Sequence, residues 1–385
     1  MPGGGLRTPQ TLRVGSLSLS PTTQLIFTLG IPNVIGNCQN DLVQVDGNLT
    51  LQGTLGINAT PGFGGGVYRL FNYGGILTNN GLGILFAPDG YDASDFIVQT
   101  AIPGQINLIV VDPDDEPIKV PETYPGQVPG IPTGPLYPMP GPAPDSETPN
   151  PGAPGGIFSR FQFWDGGRTT VDGTILGGSG IWNNTDATWS SIDGLSKKTW
   201  NGYRAVFGGN AGTADVQDNV SFRKIDFITD GYTIHSSNNS KLLVRDPAVI
   251  KVDSGYQADI AAEITGSGSI SKKGVGTLIL SHDNSYAAGT VLNEGTLVAN
   301  TRNALSSGSV TLQGGILCLG NTQALQVGSY IQNQDAILVL RIKSPTNYDQ
   351  LVVNGSAYLG GTLLLVGKPS NFGKQMPLIT RENSD

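Results

Sequence analysis

The feature that most constrains this chain is the recurrence of very short apolar and β-branched runs, each ended by glycine or asparagine. Gly276 and Asn284 bracket Thr277-Leu278-Ile279-Leu280, Gly289 and Gly295 flank Thr290-Val291-Leu292, and Gly308 and Gly314 flank Ser309-Val310-Thr311-Leu312. Runs of this length read as strands, because a helix needs sustained i, i+3, i+4, i+7 apolar spacing and no long run of that kind is present. Asn-Gly hairpin turns are scarce between the runs, so they suit successive coils of a solenoid better than a meander. The expected fold is all-β, a right-handed parallel β-helix.

Composition agrees. Charged residues make up 14% of the chain and glycine fills 55 of its 385 positions. A compact α/β enzyme carries more charge and more helix formers. The formal net charge of −8 opposes nucleic acid, which needs a concentrated basic footprint, and opposes docking on an anionic membrane. Lys197-Lys198 and Lys272-Lys273 are isolated pairs rather than a patch. Only Cys38 and Cys318 are present, with no CxxC pair, so there is no disulfide framework, and their pairing stays open. No stretch of about 18 apolar residues exists to span a bilayer as a helix. Met-Pro-Gly-Gly-Gly at the start lacks a charged and an apolar segment, so it is not a signal peptide. A cytosolic protein and a piece of a longer precursor both remain, and the abrupt ends favour the piece.

Residues 112–156 hold 14 of the 25 prolines and divide the chain. Such a stretch favours extended polyproline conformations and cannot pair as central strands. The expected layout is the C-terminal part of a first β-helix module over 1–111, a Pro-rich linker over 112–156, and a second β-helix module over 157–385.

The two ends repeat each other. Asp41-Leu42-Val43-Gln44-Val45-Asp46-Gly47-Asn48-Leu49-Thr50-Leu51-Gln52-Gly53-Thr54-Leu55 matches Asp349 through Leu363 at a constant offset of 308 residues. Leu12-Arg13-Val14-Gly15 echoes Leu325-Gln326-Val327-Gly328 at an offset of 313, which puts a five-residue insertion within Gly30 to Asn40 of the first copy. Leu70-Phe71 aligns with Leu378-Ile379. Val43, Val45, Leu49, Leu51 and Leu55 are spaced to point inward from successive pleats, with glycine and asparagine at the corners. Coils of this kind bury their apolar side chains only by stacking.

The run Lys272-Lys273-Gly274-Val275-Gly276-Thr277-Leu278, then Asn284-Ser285-Tyr286, Gly289-Thr290 and Gly295-Thr296-Leu297, resembles the passenger-associated repeat of bacterial type V autotransporters. It departs at Ala287-Ala288, where Thr-Gly is usual. The stretch from Asp349 to Ile379 resembles the pertactin-like segment that closes a passenger, and Trp182 to Phe207 resembles the opening of another module. With the passenger-associated repeat at 268–299 and a closing segment at 325–380, the chain straddles two modules of a larger passenger. The resemblance implies export across the outer membrane to the bacterial cell surface or beyond, with the precursor anchored by a separate C-terminal β-barrel. It also implies a role as adhesin or host-interaction scaffold toward a host-cell surface or extracellular-matrix protein or glycan. A released soluble effector binding a host receptor is the alternative, and a polysaccharide hydrolase or lyase a lesser one.

Chemistry is thin in the residues. Asp253-Ser254-Gly255 is the nearest to a nucleophile motif, with Val252 where glycine is expected, and His235 and His282 are the two candidate bases. Asp112, Asp114, Asp115 and Glu116 form the densest acidic run but lack the alternating ligands of a calcium loop. No P-loop, dinucleotide fingerprint or zinc spacing occurs, so the expected catalytic, cofactor and metal residues are none. Trp164, Trp182, Trp189 and Trp200 cluster within 37 residues. They suit a carbohydrate-stacking platform, a protein-contact hot spot, or a cap shielding the first coil of a module.

Overall fold

The computed structural model describes residues 8–111, 161–322, 324–368, 370 and 375–381. Among these the elements are strands apart from the three-residue 3-10 turn Ala93–Asp95 and a 3-10 position at Ser370. The acidic run at 112–116 and the remainder of the Pro-rich stretch lie outside the described residues.

After residue 160 the strands form a parallel β-helix. Arg204–Phe207, Lys224–Phe227, Ala248–Val252, Ile270–Lys273, Thr290–Leu292, Val310–Leu312 and Tyr330–Gln332 lie side by side in parallel on one face. Thr213–Val216, Tyr232–His235, Gln257–Ile260, Thr277–Leu280, Thr296–Ala299, Gly315–Leu319 and Ala336–Ser344 form a second face in the same way. Shorter strands, from Val220–Ser221 to Ser285–Tyr286, make a third. Alternate residues of each strand point inward, so like stacks on like. Ala258, Leu278, Leu297, Leu317 and Leu338 are register partners and all buried. Each such leucine contributes about 1.5–3 kcal/mol once its rung is sandwiched.

Before residue 112 a smaller stack repeats the plan. Thr11–Val14, Leu42–Val45 and Gly66–Tyr73 are parallel neighbours on one face. Gln24–Leu29, Thr54–Ala59 and Gly83–Phe86 are neighbours on another. An antiparallel hairpin, Phe96–Gln99 with Gln105–Val110, closes onto Gly66–Tyr73. The inward positions read from the sequence, Val43, Val45, Leu49, Leu51 and Leu55, are all buried.

The sequence duplication is a duplication of register. Leu12 pairs Val43 and Val43 pairs Phe71, just as Leu325 pairs Leu351 and Leu351 pairs Ile379. A carboxylate holds the same place in both copies. Asp41 accepts from the Thr28 N–H at 2.7 Å, and Asp349 from the Arg341 N–H at 2.9 Å. In return the Asp41 N–H donates to Thr28 O and the Asp349 N–H to Arg341 O. Gly47 approaches Gly15 O at 2.6 Å and Gly355 approaches Gly328 O at 2.5 Å. A Cβ at either glycine would sit under 3 Å from the neighbouring rung, so the corner admits no side chain.

No sheet contains strands from both sides of the Pro-rich stretch. The two stacks nevertheless meet face to face. Val67, Ile102 and Ile109 of the first pack with Phe161, Phe163, Val206 and Ile228 of the second in one buried cluster. Backbone contacts cross this seam: the Ser254 N–H donates to Asn33 O at 3.3 Å, and the Ile175 N–H to Ala101 O at 2.8 Å.

Candidate functional site

The four tryptophans lie inside the first coils of the larger stack. Trp164, Trp182 and Trp189 are fully buried and Trp200 nearly so. Trp189 lies 5.1 Å from both Trp164 and Trp182 and 4.6 Å from Trp200, centroid to centroid, and Phe207 joins the group. Trp189–Ser190 and Lys197–Lys198 run antiparallel at the edge of this face, against Phe161–Trp164. Asp165, wholly buried, accepts from the Leu176 N–H and pairs with the Lys197 ammonium there. Of the readings open in the sequence, burial supports the cap, because no indole face is left at the surface for a sugar or a partner to stack on.

The seam holds four buried charged residues, Arg69, Arg204, Asp226 and Asp253. Arg204 and Asp226 stand on neighbouring strands of the larger stack, two register positions apart, and Arg204 Nε meets Asp226 Oδ2 at 2.5 Å while its guanidinium lies 4.2 Å over the Phe161 ring. Lys251 Nζ donates to Gly65 O at 3.4 Å, and burial lowers its ammonium to about 8. Arg69 of the smaller stack donates to Ile228 O at 3.3 Å and faces Asp253 and Tyr256. Burial pushes the Asp253 carboxyl well above the usual carboxylate range, and Arg69 opposes that rise. Asp253 is therefore a seam residue. The two histidines are engaged elsewhere: His235 sits 3.6 Å from Asp215, and His282 Nδ1 lies 2.6 Å from Asp283 O. The geometry assembles no triad around Ser254 from these residues.

Beside the seam, a groove of about 490 Å³ runs along the corner where the first face turns into the second. Three successive turns line it: Asp230-Gly231, then Gly255-Tyr256-Gln257, then Val275-Gly276-Thr277. Gly231 and Gly255 hold φ of +85° and +78°, which a side chain disfavours. Ladder bonds satisfy the floor: Gly231 N–H to Gln257 O at 2.8 Å, Thr277 N–H to Tyr256 O at 2.8 Å, and Gln257 N–H to Asp230 Oδ1 at 2.7 Å. Tyr256 is half-buried, one side toward Arg69 and Asp253 and its ring against the aliphatic core. Of these residues the sequence marks Gly276 as a strand boundary and Gly255 as part of the Asp253-Ser254-Gly255 triplet, but not the groove that brings them together with Tyr256.

Lys272, the lysine of the passenger-associated repeat, points into the core between Ile250 and Leu292 and is fully buried. Its ammonium donates to Gly274 O at 2.5 Å, Lys273 O at 3.0 Å and Glu294 O at 3.2 Å. Glu294 Oε1 in turn accepts from the Gly274 N–H at 2.8 Å. Burial lowers the ammonium to about 7. The repeat's lysine is thus a corner clamp, satisfying carbonyls that a tight glycine turn leaves without ladder partners. Cys38 and Cys318 are free thiols. Among the described residues no group of three or more His, Cys, Asp or Glu side chains could hold a metal ion.

Comparison with known proteins agrees with this architecture. Residues 270–299 match the passenger-associated-transport-repeat family. The chain is 31% identical over 321 residues to the adhesin BmaC autotransporter of Brucella suis biovar 1 (strain 1330), an alignment covering 79% of this chain and 8% of that protein. No solved structure matches. The chain is an autotransporter passenger region, exported across the outer membrane to the cell surface or extracellular space. It spans less than a tenth of the length of the relative it matches.

Proposed function

We propose that this stretch of passenger is a non-catalytic scaffold of an adhesin, holding contact surfaces toward a host-cell surface or extracellular-matrix protein or glycan. The observation that carries the reading is the similarity over 79% of the chain to a protein named as an adhesin. The fold suits the task. Each rung is fixed by its neighbours, so outward side chains are held in register with little ordering left to do on contact. In this reading 1–111 is the end of one module, 112–156 a linker and 157–385 a second module, and a β-barrel elsewhere in the precursor holds the passenger to the cell.

The test is adhesion by the purified chain. Beads coated with it should bind cultured epithelial cells or an array of matrix proteins and glycans, and soluble chain should compete. Free chain that changes cell behaviour while coated beads do not adhere would favour the soluble-effector alternative. Turnover of a polysaccharide, abolished by removing one or two carboxylates, would overturn the non-catalytic reading.

A further inference from the structure

We propose that the groove formed by the turns at 230–231, 255–257 and 275–277 binds a short uncharged oligosaccharide; the proposal rests on the adhesin reading and names its ligand. Three properties of the groove point to this chemistry.

The first is its lining. Tyr256 offers an aromatic edge and Val275, exposed by 44%, an apolar flank. Between them stand the Asp230 carboxylate, the Gln257 amide and the Thr277 hydroxyl. A pyranose has the complementary pattern, with an apolar face of C–H groups rimmed by hydroxyls that both donate and accept. Asp230 Oδ2, the Gln257 side chain and the Thr277 hydroxyl carry no hydrogen bond to the protein among the described residues, so they are free to meet those hydroxyls.

The second is rigidity. The floor is backbone already bonded between rungs, and the tyrosine is held from behind by Arg69 of the other stack. Little need be ordered on binding, which matters for a ligand as flexible and well hydrated as a sugar.

The third is size and charge. The volume falls within the range of about 300–1,000 Å³ of small-molecule sites. Three rungs spaced about 4.8 Å apart give a length of roughly 10 Å, room for two or three sugar units. The one charged residue lining the groove is Asp230, and the chain carries a net charge of −8, so a sulfated or carboxylated glycan is disfavoured. Single sites of this kind bind weakly, and many copies displayed on one cell convert weak binding into adhesion.

The experiment uses the full chain and a printed array of uncharged mammalian oligosaccharides, followed by titration of the best binder. The expected result is saturable binding that Tyr256→Ala reduces at least tenfold and Thr277→Val or Gln257→Ala by several-fold. Asp230→Asn keeps the Oδ1 acceptor for the Gln257 N–H and should weaken binding without loosening the turn. Because Tyr256→Ala also disturbs the seam, the exposed Gln257→Ala variant, with an unchanged melting temperature, decides the matter. No binder on the array, or a binder indifferent to Gln257→Ala, Thr277→Val and Asp230→Asn, overturns the proposal. Beads of the same chain separate the two claims. Adhesion that survives the absence of any saccharide binder, or that follows an arrayed matrix protein, leaves the adhesin reading standing with a protein ligand elsewhere; loss of both removes both.

Discussion

The two copies of the duplicated unit, one before the Pro-rich stretch and one at the end, share their rungs and differ in what lies outside them. Both keep the same strand register, the same carboxylate clamp and the same crowded glycine corner. The first has eleven residues at 30–40 where the second has six at 343–348. The longer loop carries Asn33 onto the other stack, and the shorter one folds back as an antiparallel turn, Ile342 opposite Tyr348. Outward positions diverge as well: Val67 and Arg69, buried in the seam, correspond to the exposed Gln375 and Pro377. Inward residues specify the rung, while loops and outward residues decide whether the rung acquires a neighbour.

The sharpest way to break this comparison is at Arg69. Its buried guanidinium donates to Asn107 Oδ1, Asn72 Oδ1 and Ile228 O, and leaving a buried acceptor without its donor costs about 1–3 kcal/mol each. After cleavage within 112–156, the parent's two fragments should co-elute on size exclusion and those of Arg69→Ala should separate. Pro377→Ala, the matching change in the second copy, should leave the elution untouched. Parent fragments that separate would mean the seam does not hold the stacks.

Next comes Leu51 against its counterpart Leu359. Leu51 is fully buried under the following rung, whereas Leu359 is 59% exposed. Leu51→Ala should lower stability by about 2–5 kcal/mol in urea unfolding, and Leu359→Ala by less than about 0.5 kcal/mol. Equal losses would show that the second copy's last rung is covered in solution.

The shared clamp should behave alike in both. Asp41→Ala strands the buried Thr28 N–H and Asp349→Ala the part-buried Arg341 N–H, at about 1–3 kcal/mol each. A loss confined to one copy would show that the common register hides different energetics.

A pH-dependent contrast lies in the middle rungs, which belong to neither copy. Lys272 falls from an ordinary 10.5 to about 7 because it is buried. Between those values the unfolded chain holds a proton that the folded chain lacks, so stability rises with pH across that window and levels off below about 7. Lys272→Met should remove that slope from the melting temperature measured between pH 7 and 10. A variant with the parent's slope would show that the lysine titrates normally.

Much of the fold could be read from residues alone, because strand, corner and inward position each leave a local mark. The inward set Val43, Val45, Leu49, Leu51 and Leu55 and the insertion between Gly30 and Asn40 follow from spacing and offset. Lys272 could not be read correctly. Beside Lys273 it looks like surface charge, and only the register with Ile250 and Leu292 turns it inward. The tryptophans were ambiguous for a related reason, since an aromatic cluster has the same composition whether it faces solvent or core. The seam left no trace, because Arg69 and Ile228 are 159 positions apart and meet through outward faces that obey no period. The groove was not legible, since Gly276 reads only as the end of one strand run, Gly255 only as part of a triplet, and Tyr256 as one aromatic among many.

The rungs also settle how far such a chain can reach. Along the first face of the larger stack, from Arg204 to Lys224 to Val249 to Ser271 and on to Ile331, each circuit takes between 20 and 25 residues. It advances the shaft by one strand spacing, about 4.8 Å. That is roughly 0.2 Å per residue, against about 1.5 Å in an α-helix. Setting two shafts flank to flank shortens the reach further and adds girth, so this segment contributes resistance to bending more than distance from the cell.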